Sequence, residues 1–136
     1  MNVALRLSPQ SLGRLSAYND ADLGPHAQAL WRDLCAAAAT GLPLAVVALA
    51  AALIDVVAHE DAGPAGYLDG AAFSFAGNKA ALGWLRRRRN GILHHEQPTN
   101  GLMGESDAAR WLLADAERAV TTLLEYLADL DVGAAD

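Results

Sequence analysis

The chain has 136 residues, 53% of them hydrophobic, enough for one sizeable core and too few for a second domain of ordinary size. Alanine and leucine dominate while β-branched and aromatic residues are sparse, which favours helices and argues against a sheet-based architecture. A formal charge of −6 argues against a general affinity for nucleic acid, which needs a spread of Lys and Arg, so any RNA contact has to be local.

Cys35 is the only cysteine, which excludes an intramolecular disulfide and a C-x-x-C site and fits a reducing cytoplasm. The opening stretch MNVALRLSPQSLGRL lacks the apolar core and cleavage site of a signal peptide and reads as mature protein. Ser8-Pro9 predicts a short first helix through Leu12 and Leu15 to about Asn19, making residues 1–20 an N-terminal helix or arm. A second helix is expected to start near Asp22 to Pro25 and to carry His26, Leu30, Leu34 and Ala38 at four-residue spacing. It turns Trp31 and Leu34 to the core and stops at Thr40-Gly41.

The segment from Leu42 to about Glu60 has Pro43 near its start and is apolar on all sides, which predicts a central helix. Its competitor is a membrane span. Thr40-Gly41-Leu42-Pro43 breaks the uncharged run from Leu34 to Ile54 and leaves too short an apolar helix before Asp55, so no membrane crossing is expected. Residues 61–78 are Gly-rich and broken by Pro64, with Tyr67, Leu68, Phe73 and Phe75 as anchors for a short helix or packed loop. A helix then runs from about Lys79 to His94 or His95, and Gln97-Pro98-Thr99-Asn100-Gly101 forms a turn. Ser106-Asp107 caps the last helix, in which Leu113, Ala116, Val120, Leu123, Leu127 and Leu130 form a seam suited to bundle packing or to a dimer. Residues 133–136 are expected to fray. The whole is a single all-α domain, a bundle of four to five helices.

Four of the ten basic residues form one run, Arg86 to Arg89. On an ideal helix Leu82, Leu85, Arg89, Ile92 and Leu93 share a face, so Arg89 interrupts the apolar stripe while Arg86, Arg87 and Arg88 point mostly away, available to RNA. A guanidinium cannot shed its proton, so Arg89 demands an acceptor, and Asp55 is the one carboxylate inside the apolar central helix. The two are expected to pair, either at a functional site or as a purely structural tie between helices. Asn90 lies four residues before His94, where its amide can orient the imidazole. Arg89 and His94 are about 140° apart around a regular helix and converge only if the helix distorts or ends near Gly91.

The string Arg89-Asn90-Gly91-Ile92-Leu93-His94 has the R-N-x-x-x-H form and resembles the motif of the HEPN family (higher eukaryotes and prokaryotes nucleotide-binding). A helix ending in the motif, a polar turn and a final amphipathic helix extend the likeness over roughly Lys79 to Leu130. Gly91 inside the motif, the second histidine His95 and the lack of an aromatic residue just after His94 depart from common versions.

The resemblance implies a metal-independent, cofactor-free endoribonuclease, in a toxin-antitoxin or phage-defence setting, working as a homodimer that joins two motifs and meeting RNA and an antitoxin or other protein partner. Other members have lost activity and bind RNA, nucleotide or protein. Cleavage by attack of the 2′-OH needs a base, an acid and a cation on the phosphorane. Arg89 suits the last task, since its planar donors match phosphate, and a histidine, with an ordinary pKa of about 6.5, suits proton transfer at His94. One histidine cannot readily serve both sides of the phosphorus, so a dimer supplies the second, with the Leu123-Leu127-Leu130 seam as one apolar surface for it. His95 is then a supporting residue. Two rivals remain: a metal-binding bundle using His26, His59, His94 and His95 with Asp55 or Glu96, although the usual ligand spacings are missing, and a plain adaptor whose histidines only cap a helix.

Overall fold

The computed structural model of the protein describes residues 6–62, 79–98 and 101–135. These residues form five α-helices and one 3-10 turn, with no strand among them. The first three helices, α1 (Pro9–Ala17), α2 (Pro25–Thr40) and α3 (Pro43–Ala62), each begin on a proline, where the missing N–H has no helical partner to lose. The Ser8 hydroxyl caps α1 by accepting from the Ser11 N–H at 3.1 Å. After the 3-10 turn Asp20–Asp22, α2 runs to Gly41, whose φ of 75° lets the chain reverse. There the Leu42 N–H reaches the Ala37 carbonyl at 2.9 Å, which satisfies an end carbonyl of α2 just before Pro43 opens α3.

The remaining helices are α4 (Lys79–His94) and α5 (Ala108–Ala135). The last includes residues 133–135, expected to fray. The packed loop expected around Tyr67, Leu68, Phe73 and Phe75 lies outside the described residues, as do Thr99 and Asn100 of the expected turn.

Because α3 is apolar all round, it can be covered on every side, and α2, α4 and α5 all pack on it, α5 most extensively. Val46, Val47, Ala50, Leu53 and Ile54 are buried at its centre. By length and composition Pro43–Glu60 is apolar enough to cross a membrane, at a mean hydropathy of 1.8, which corrects the expectation of too short a run. In the bundle it serves as the core helix.

Ala116, Val120, Leu123 and Leu127 of α5 are buried within this one chain. These four seam positions are therefore part of the bundle core, and the sequence-based use of Leu123 and Leu127 as a dimer surface is corrected. On α2 the buried line is Ala27, Trp31, Leu34 and Ala38, so Trp31 and Leu34 face the core as expected, while His26 stands one residue off that line and is exposed.

A carboxylate ties α1 to α5. Glu117 of α5 accepts from the Ser8 N–H, the Ser8 hydroxyl and the Ser11 hydroxyl, placing a negative charge at the N-terminus of α1, where the helix dipole favours it.

Gly41 carries the tightest demand on the α2–α3 hairpin. Gly41→Ala puts a Cβ in the left-handed region and is expected to lower stability by roughly 1–2 kcal/mol, read as a fall in the midpoint of urea unfolding at unchanged slope.

Candidate functional site

The buried positions of α4 are Ala81 and Leu82, followed at three-residue steps by Leu85, Arg88 and Gly91. The stripe therefore passes through Arg88, and Arg89 lies about 100° further round on its flank. This corrects the reading that put Arg89 in the stripe and left Arg88 for RNA. The expectation leaned on Leu93, which is 56% exposed, whereas the true stripe runs through Ala81 and Gly91, residues with little apolar weight to mark it.

Two consecutive guanidinium groups consequently reach two different helices. Arg88 is 8% exposed and its Nε sits 2.6 Å from Asp115 Oδ2 on α5. Arg89 is 16% exposed and its Nη1 sits 2.7 Å from Asp55 Oδ2 on α3, the pairing read from the sequence. Asn90 Oδ1 also accepts from Arg89, from Nε at 3.2 Å and Nη2 at 3.1 Å. Of the five N–H groups of Arg89, three are engaged among the described residues, leaving one on each terminal nitrogen for a ligand.

Asn90 thus orients Arg89 rather than His94, which corrects the expected amide–imidazole contact. His94, the last residue of α4, is exposed and has no hydrogen-bond partner among the described residues. Nor does the helix distort at Gly91. It runs through Gly91 to His94, so Arg89 and His94 stay about 140° apart within one chain.

The glycine has another use. A Cβ there would stand 3.3 Å from the Glu96 carbonyl oxygen and 3.7 Å from Leu102 Cδ1, so Gly91 is where the chain leaving α4 folds back onto it. The reversal comes at His95 and Gln97, with φ of 53° and 45°, and the Glu96 N–H returns to the Asn90 carbonyl at 3.4 Å. His95 itself is exposed.

This return encloses a groove of about 270 Å³ lined by Trp84, Arg86, Arg87, Arg88, Asn90, Gly91, Glu96 and Gln97. Arg87 is exposed and Arg86 half-buried, while Arg88 is held by Asp115 and is not available as an RNA contact. The Arg118 guanidinium lies 4.1 Å from the centre of the Trp84 ring, a cation–π contact. Sequence reasoning missed Asp115, Arg118 and Trp84. A carboxylate one residue before the seam position Ala116 was the available sign.

A second cavity of about 230 Å³, at the start of α2 and the end of α3, is lined by His26, Asp55, Val56, His59 and Glu60. The six residues grouped as candidate metal ligands are thereby divided, since His94, His95 and Glu96 lie at and beyond the end of α4 and do not line it. Among the described residues no group of three or more His, Cys, Asp or Glu side chains is placed to hold a metal ion. Cys35 is half-buried, and burial, aided by the Asp20 charge, pushes its thiol up, so it is a poor nucleophile at neutral pH.

Burial pushes the Asp115 carboxyl above its ordinary value, against the lowering pull of Arg88 and Arg118. The folded chain then holds this proton more tightly than the unfolded one. The group's contribution to stability is fully present below the unfolded value of about 3.9 and is lost as pH rises through the folded value. Urea unfolding of wild type and Asp115→Asn across that window is expected to show the stability of the wild type falling relative to that of the variant as pH rises. Arg88→Ala leaves Asp115 without its partner and is expected to cost about 3 kcal/mol or more, while Arg88→Met combined with Asp115→Leu costs much less, as unfolding midpoints will show.

No family model, curated protein or solved structure matches this chain.

Proposed function

We propose that the chain is a metal-independent endoribonuclease of the HEPN type, with Arg89 and His94 at the reaction centre and Asp55 and Asn90 positioning Arg89. The observation that carries the reading is Arg89: fixed by Asp55 and Asn90, it keeps one N–H on each terminal nitrogen, charged donors that suit a phosphate. The all-helical bundle and the exposed imidazole of His94 support it further.

Cleavage starts when a base removes the 2′-OH proton and the oxygen attacks the adjacent phosphorus. Arg89 holds the charge that develops on the phosphorane, and an acid protonates the departing 5′ oxygen. His94 takes one of the two proton transfers. The other comes from His94 of a second copy, so the proposed unit is a homodimer. With Leu123 and Leu127 buried, its surface is sought beside the motif, where Leu93 is 56% exposed. The proposed setting is cytoplasmic, in toxin-antitoxin or phage-defence systems.

A second reading is a HEPN domain without activity that binds RNA, nucleotide or a protein. The exposed Met103 and Trp111, near the start of α5, favour a protein partner.

Purified protein incubated with total RNA in EDTA is expected to leave 2′,3′-cyclic phosphate ends, and His94→Ala and Arg89→Ala are expected to abolish cleavage while circular dichroism reports an intact helical fold. Arg89→Ala also leaves Asp55 without this partner and is expected to lower stability, so His94→Ala is the decisive variant. Cleavage unchanged in His94→Ala removes the mechanism.

A further inference from the structure

Resting on the ribonuclease reading, we infer that the groove between α4 and the returning Glu96-Gln97 segment is a base-recognition subsite selective for guanine. At about 270 Å³ it lies just under the roughly 300–1,000 Å³ of drug-sized pockets, a size for one planar ring system rather than a stretch of chain.

Its lining supplies what an unstacked base requires. Trp84 lines the groove and supplies an aromatic ring for stacking, with the Arg118 guanidinium 4.1 Å from the ring centre. Arg87 is exposed and, among the described residues, has no hydrogen-bond or ion-pair partner, which leaves its donors for base or phosphate acceptors.

The discriminating group is Glu96. Its carboxylate has no partner among the described residues, although its backbone is pinned by the bond to Asn90 and lies between two left-handed residues. An ionised carboxylate only accepts, and two parallel acceptors match a base edge with two adjacent donors. Guanine presents that edge through N1–H and the 2-amino group. Adenine and cytosine present one amino group beside an unprotonated ring nitrogen, and uracil a single N–H between two carbonyls. The guanine O6 is left for the amide of Gln97 or the guanidinium of Arg87. Arg89 and His94 do not line the groove, which opens beside the end of α4 that carries His94, so a guanine seated here belongs to a nucleotide held apart from the reacting phosphate.

Glu96 also lines the groove with buried Arg88, whose charge Asp115 already neutralises, so the carboxylate is not needed as its counter-ion.

The test is calorimetric titration of the full chain with 3′-GMP, 3′-AMP, 3′-CMP and 3′-UMP, beside cleavage mapping on RNA. Wild type is expected to bind 3′-GMP roughly tenfold or more tightly than the others, Glu96→Gln to lose that preference, and His94→Ala to keep it. Equal binding of all four nucleotides, or a guanine preference that survives Glu96→Gln, overturns the subsite even where RNA is cut. Guanine-selective binding by a protein that cuts no RNA leaves the subsite standing and removes the nuclease reading.

Discussion

Two adjacent arginines that bond in different directions set the geometry of this bundle. Consecutive residues on a helix point about 100° apart, so Arg88 can reach Asp115 on α5 while Arg89 reaches Asp55 on α3. Rotating α4 by one residue would pull both cations from their acceptors, and neither can be neutralised by losing a proton. The apolar contacts of Ala81, Leu82 and Leu85 hold α4 against the core, but small and similar side chains define rotation poorly. The ion pairs define it, and with it the direction of Asn90 and His94.

The path of the chain beyond α4 depends on that orientation. Gly91 faces the returning chain because Arg88, three residues earlier, faces the bundle. Leu102 then packs on Gly91, and the Glu105 carboxylate accepts from the N–H groups of Gly101 and Met103, which closes the turn ahead of α5. Gly101, at φ 92°, has no room for a side chain, since a Cβ would stand 2.8 Å from Leu112. Residues 95–98 and 101–107 are mostly exposed but touch both neighbouring helices, through Glu96 and Leu102 at Gly91 of α4 and through Gly101 at Leu112 of α5, and Glu96 and Gln97 line the groove beside Trp84.

Much of the helical framework is legible in the sequence because it is punctuated. Pro9, Pro25 and Pro43 mark three starts, Gly41 marks the sharpest turn, and the lone carboxylate in an apolar helix identifies Asp55 as the acceptor for Arg89. The phase of α4 is harder to read, since its buried stripe includes alanine, glycine and a paired arginine, none of which announces burial. The reversal after His94 leaves no mark either, because His95 and Gln97 take left-handed backbone without being glycine. Glu117 looks like any solvated acid until α1 folds against it.

A single chain presents half of what the proposed chemistry requires. Arg89 has one free N–H on each terminal nitrogen and His94 stands open to solvent, but they lie about 140° apart around one regular helix, and Gly91 does not bend it to join them. His59, one turn along α3 from Asp55, lines a separate cavity with His26 and Glu60 that His94 does not reach. On the ribonuclease reading the missing proton-transfer group must come from outside this chain, and Leu123 and Leu127, two of the leucines expected to make the contact surface, are already buried in the core. The contact then falls on the end of α4 itself, where Leu93 adjoins His94. On that reading, dimer formation and completion of the proposed reaction centre are a single event, because the same turn of helix supplies both the apolar contact and the imidazole.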